Sequence, residues 1–279
     1  MRLLLIKRFR FFITAGLVVY LAVCPLNLSY AMTFEISKAD TLLIAQRVFK
    51  NECDAEKDCL IEWNAGEDFL SLGLGHFIWY PANAPGIFNE SFRSYLQYAR
   101  QAGERLPVWL GKTPFPSCPW MSRKQFLNSK ESKQYQDIAD FMIKTKQCQA
   151  DYLIENTKRS LPKIIDAAPG DQRLRITKYL SQLSSNTQGL YAIIDYVNFK
   201  GSGIGNNERY QGEGWGLLQV LQGMRDRPTS QETLAEFVRS ARDVLKHRVF
   251  IAPMDRHEEK WLPGWLSRID TYFVIANNS

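Results

Sequence analysis

Histidine and cysteine are scarce in this chain of 279 residues, three and five respectively, and their spacing excludes whole classes of chemistry. No cysteines stand as Cys-x-x-Cys and no histidines as His-x-x-x-His, so a zinc site built from Cys53, Cys59 and His76 lacks the usual ligand spacing. Gly201, Gly203 and Gly205 punctuate one loop, yet neither Gly-Lys-Ser nor Gly-Lys-Thr follows them, which removes a phosphate-cradling loop there. Long apolar runs are missing too. The best, Phe11 to Cys24, falls short of the roughly 20 residues that a membrane-crossing helix needs. Chemistry is left to carboxylates, amides, hydroxyls and aromatic rings, with no metal and no cofactor expected.

Arg2, Lys7, Arg8 and Arg10 precede that apolar run, and Ser29-Tyr30-Ala31 closes it with small residues at the two positions a signal peptidase reads. This is the pattern of a cleavable signal peptide over residues 1–31. Its removal takes away four basic and no acidic residues, so the formal charge of +6 falls to +2. No basic patch remains to make nucleic acid a partner. The remainder, 32–279, is long enough for one large domain, and its helix-rich patterning favours a single core. The expectation is a monomer in the periplasm or outside the cell, with no stable membrane insertion after cleavage. In that oxidising setting Cys53, Cys59, Cys118 and Cys148 admit three pairings. Cys53–Cys59 with Cys118–Cys148 is preferred, because the first closes a tight loop directly after Glu52.

Phe49 to Tyr80 concentrates the chemistry. Leu42, Ala45, Phe49 and Glu52 follow the spacing i, i+3, i+7, i+10, which places the Glu52 carboxylate on the apolar face of a helix. Desolvation there raises a carboxyl pKa, as a general acid requires. From Phe69 to Tyr80 the pattern alternates as one strand, with Leu70, Leu72, Leu74, His76 and Ile78 on one face. Gly73 and Gly75 fall on the other face, where they mark either a bend or a surface that something, such as a sugar ring, approaches closely. Glu62, Glu67 and Asp68 stand just ahead, and any of them can be the second carboxylate of a glycosidase-like pair.

A helix ending in glutamate, then a strand reading Ser-Leu-Gly-Leu-Gly-His-Phe (Ser71–Phe77), resembles the approach to the active site in phage-type lysozymes, within the lysozyme-like superfamily of peptidoglycan and chitosan hydrolases. The resemblance implies a mainly α (α+β) fold: a lysozyme-like helical domain with a small β-hairpin beside the active-site cleft. It also implies Glu52 as general acid, Glu67 or Asp68 as the acidic hairpin residue and Ser71 as the small hydroxyl residue opening the glycine strand. Gly73, Gly75 and His76 become substrate-binding positions, and peptidoglycan or a related polysaccharide the partner. The family's hydroxyl residue is usually threonine, and both the glutamate-to-strand loop and the segment after the hairpin are longer here.

Downstream, Phe92, Tyr95, Leu96 and Ala99 mark an amphipathic helix ending near Gly103. Trp109, Phe115 and Trp120 lie in a proline-rich stretch, where they either stack on sugars or pack the loop down. Ser122 with Gln125 opens a run of polar helices, and about 106–185 reads as a helical insertion. A helix ending near Phe199 leads into a loop rich in asparagine and glycine, whose Tyr210 and Gln211 suit a glycan site, the alternative being that Tyr210 and Trp215 pack inward and staple the loop to the core. Asn198 resembles an asparagine of the facing lobe in phage-type lysozymes. Gly216-Leu217-Leu218-Gln219 is similar to a lytic-transglycosylase motif, but Glu208 lacks the serine that follows the catalytic glutamate there. Thr229 with Glu232 caps another helix with Leu234, Phe237, Val238, Ala241 and Leu245 inside, and Trp261–Tyr272 resembles the family's terminal helix. A non-catalytic glycan-binding module on the same scaffold is the competing reading.

Overall fold

The computed structural model describes residues 60–273 apart from 85, 87 and 228, together with 36, 37, 40, 41, 43, 44 and 47 upstream. The expected leader at 1–31, the inward positions Leu42, Ala45 and Phe49 of the expected first helix, and Glu52, Cys53 and Cys59 lie outside the described residues. The described residues are mainly helical, 61% helix and 6% strand, with a small antiparallel sheet. Contacts separate Met1–Ala31 from Met32–Ser279, and every described helix and strand belongs to the second unit.

β1 (Ile61–Glu62), β2 (Leu70–Leu72) and β3 (Phe77–Trp79) form an antiparallel sheet in that order. Ile61 lies opposite Leu72, Glu62 opposite Ser71, and Ser71 opposite Ile78. The single strand expected over 69–80 is thus two strands. The chain reverses at Gly73–His76, where the His76 amide donates to the Gly73 carbonyl at 3.1 Å. Gly73 at φ +70° and His76 at φ +43° supply the left-handed backbone of that turn. Alternation misled because Leu74, inside the turn, is as buried as the strand residues around it.

The face of β3 bearing Phe77 and Trp79 packs on α1 (Phe92–Gln101). Phe77 stacks on Tyr95 at 4.7 Å between centroids, and Trp79 meets Phe92 at 4.9 Å. The expected inward residues of α1 are all buried. Next come α2 (Arg123–Leu127), α3 (Lys133–Lys144), α4 (Lys146–Ala167), α5 (Gly170–Leu183) and α6 (Thr187–Lys200). A two-stranded ribbon, β4 (Arg209–Tyr210) and β5 (Glu213–Gly214), precedes α7 (Leu217–Gly223), α8 (Ser230–Ile251) and α9 (Leu262–Asp270).

Residues 106–185 carry the middle of the core: α4 packs against α1, α5, α6 and α7. Gln149 of α4, fully buried, accepts from the Leu74 amide at 2.9 Å and donates to the Met142 carbonyl at 2.7 Å. The hairpin turn is thereby fixed to the α3–α4 junction, with the buried Leu74 amide satisfied. Thr229 and Glu232 make the expected reciprocal cap of α8, and the five expected residues of its stripe are buried.

Cys118 and Cys148 are both buried free thiols, so the expected bond between them is not formed. The Cys118 amide donates to the Tyr80 carbonyl at 2.9 Å, whereas Cys148 sits in α4 near Tyr95. Burial pushes the two thiols up to about 12 and about 11.

Candidate functional site

The β1–β2 connection, Trp63 to Phe69, builds a polar site. Its turn closes where the Glu67 amide donates to the Asn64 carbonyl at 3.2 Å, with Gly66 at φ +88° between them. Indole Nε1 of Trp63 donates to the Glu67 carbonyl at 2.7 Å, and Arg123 Nε donates to the Trp63 carbonyl at 2.7 Å. An aromatic anchor from inside and an arginine from α2 thus hold the loop from both sides. Pairing of Pro81 with Cys118 brings the 119–123 segment alongside. The result is a cleft of about 460 Å³ between Trp63, Glu67, Asp68, Asn83, Ser122 and Arg123.

Glu67 is half-buried in this cleft and Asp68 is exposed. Burial raises the Glu67 carboxyl above the ordinary carboxylate value. The hydrogen bond from Asn64 Nδ2 to Oε2, 3.1 Å, and the nearby His76 oppose that rise, and Glu62 adds slightly to it. A carboxyl with one neutral donor and little water keeps its proton further toward neutral pH. That is the property a proton donor needs.

The other sequence-predicted residues scatter. Ser71 is buried in the central strand and does not line the cleft. Gly73 does not offer a bare face: a side chain there would strike Gln149 and Met142. At Gly75 the space is occupied by the ring of Phe77. His76 is half-buried at the turn, and Asn198 is half-buried near the end of α6. Trp120 is buried against Phe126 and Tyr135, Trp109 stacks on Trp79, and Phe115 lies under Arg100. These rings pack their loop down.

The loop after α6 takes the inward-packing alternative, and its two candidate glycan contacts are committed inside the protein. Tyr210 donates to Glu258 Oε1 at 2.7 Å and packs on Trp215 at 4.5 Å, while Gln211 Nε2 donates to the Ile251 carbonyl at 3.1 Å. Both side chains staple the ribbon to the protein. Glu208 accepts from the Gly203 amide and from Ser202, so it is committed inside its own loop. Behind the ribbon, Arg248 grips Glu258 through two bonds, and Arg268 grips the fully buried Asp195 through two more. Arg268 therefore belongs to a largely buried ion pair. Lys200 lies in the same region with Nζ 3.3 Å from the Trp265 ring centroid and 3.9 Å from that of Phe199.

Asn64 and Arg123 were missed from the sequence. Asn64-Ala65-Gly66 is a turn signature that could have found the first. Arg123 acts across 60 residues, and nothing local announces it. Among the described residues no cluster of three metal-ligating side chains occurs, and no helix is long and apolar enough to cross a membrane. No family model, curated protein or solved structure matches the chain.

Proposed function

We propose that this chain is a glycoside hydrolase of the lysozyme-like kind, cleaving β-1,4 bonds of an N-acetylhexosamine polymer, peptidoglycan first, in the periplasm or outside the cell. The observation that carries the reading is Glu67: a half-buried carboxyl with a raised pKa, rigidly presented in an open cleft beside a second, solvated carboxylate. Glycosidases divide the work between two such groups. Glu67 protonates the glycosidic oxygen as the bond to the departing sugar breaks. Asp68 faces the positive charge that develops on the remaining sugar, or activates the water that attacks it. The Ser71–Phe77 resemblance to phage-type lysozymes supports the same class but assigns the acid to Glu52, so the two glutamates are tested side by side.

The experiment is loss of turbidity of purified cell walls, with product analysis for reducing ends, the mark of hydrolysis, or anhydro ends, the mark of transglycosylation. Glu67→Gln should abolish clearing, because it keeps shape and loses the transferable proton. Clearing near the parental rate would remove Glu67 from the acid role, and the same outcome for Glu52→Gln would remove Glu52. A wild-type protein that clears no walls and cuts no oligomer would overturn the reading.

A further inference from the structure

We infer that the Glu67 cleft continues into a second recess built by α2 and the start of α3, and that the recess holds further N-acetylhexosamine units of the same polymer through their hydroxyl and acetamido groups. The identity of the ligand rests on the hydrolase reading. The recess itself rests on other residues.

A cavity of about 630 Å³ lies against Pro119, Trp120, Lys124, Gln125, Asn128 and Gln134, and Ser122 lines both this cavity and the Glu67 cleft. The two therefore adjoin at one residue. Met121 and Arg123 face the first, while Lys124 and Gln125 face the second. Phe126 backs both, since its ring meets Trp63 at 6.3 Å and Trp120 at 5.3 Å. The recess is shallow and open to solvent, so it offers a surface along which a chain of sugars can lie rather than an enclosing pocket.

The lining separates a sugar from other ligands. Among the described residues no carboxylate lines the recess, and Lys124 is its one cation, too little for a polyanion whose phosphates each call for a basic partner. Several polar groups are already committed: Ser122 Oγ to the Gln125 amide, Ser132 Oγ to the Tyr135 amide, Ser129 Oγ to the Phe126 carbonyl, and Gln125 Oε1 to the Met121 amide. Gln125 Nε2 and the whole side-chain amides of Asn128 and Gln134 have no hydrogen-bond partner among the described residues. All three residues are exposed. Planar amides, each with donors or both donors and acceptors free, match sugar hydroxyl and acetamido groups.

The test uses N-acetylglucosamine dimer and hexamer, titrated calorimetrically into Glu67→Gln protein with and without Gln125→Glu, Asn128→Ala and Gln134→Ala combined. Gln125→Glu retains the oxygen that caps the Met121 amide while removing the free donor, so the fold is spared, and an unchanged melting temperature verifies it. The expected result is that the hexamer-to-dimer affinity ratio falls by about tenfold, as the loss of several ligand hydrogen bonds predicts. An unchanged ratio overturns the recess, as does a hexamer that never binds more tightly than the dimer. Should wild-type protein cut neither walls nor hexamer while the ratio still falls, the hydrolase reading is lost and the recess stands.

Discussion

The Glu67 carboxyl is raised by burial, so its neutral form costs nothing and its charged form is penalised in the folded protein. Below the ordinary carboxylate pKa both folded and unfolded chains hold the proton, and no penalty exists. As pH rises through the folded value the penalty appears. Glu67→Gln should therefore lower cell-wall cleavage by about 10²–10⁴-fold, while its melting temperature matches the parent at pH 4 and equals or exceeds it at pH 7. A lower melting temperature at pH 7 would contradict the burial account. Lys200 obeys the mirror-image rule. Burial, then Arg248 and Arg268, hold its amine well below the ordinary lysine value, and Glu258 opposes them. The rings of Trp265 and Phe199 favour the ammonium by about 2 kcal/mol, less than the several kcal/mol that burying an ammonium costs. On acidification from pH 10.5 the unfolded chain gains a proton that the folded chain resists, so stability is lost. Lys200→Met should then raise the melting temperature at pH 7–8, with the gain shrinking as the pH approaches 10.5.

At the scale of elements, the β4–β5 ribbon and the β2–β3 hairpin show how polar side chains fix loops. Tyr210 and Gln211 are adjacent, yet they reach Glu258, beyond the end of α8, and Ile251, its last residue. Truncating Tyr210 removes one of the three hydrogen bonds that the Glu258 carboxylate accepts and takes the ring from Trp215. Tyr210→Ala should cost about 1–3 kcal/mol, lowering the melting temperature by several degrees at about 2–4 °C per kcal/mol for a protein of this size. Calorimetry checks it, and an unchanged transition would free this loop for ligand contact. In the hairpin, a buried amide on α4 does the equivalent work for the turn at Gly73–His76.

For the whole molecule, one core runs from the sheet through α1 and α4 to α8 and Tyr272, and both described cysteines sit inside it as thiols. With pKa values of about 12 and about 11, the thiolate fraction at pH 8 is about one part in a thousand or less. Native protein should react slowly with an alkylating reagent at Cys118 and Cys148. The denatured, unreduced protein should yield at least two thiols per chain. Peptide mapping that finds these two cysteines joined would refute this.

What the sequence determined by itself is local: the mainly helical class, the caps at Ser122 and Thr229, the buried stripes of α1 and α8, and a short strand region before residue 80. Periodicity and capping act over a few residues, so a linear reading reaches them. Glu62, Glu67 and Asp68 became acidic candidates because they stand just ahead of the glycine strand, and the resemblance to phage-type lysozymes narrowed them to Glu67 or Asp68. Tertiary structure decided which side chains remain for a ligand. Gln149, 75 residues on, accepts from the turn amide beside Gly73, Glu258 takes Tyr210 out of the loop, and Arg123 fixes the loop bearing Glu67. A side chain's hydrogen-bonding capacity is written in its type, but whether the fold has already consumed it depends on partners that only packing brings near.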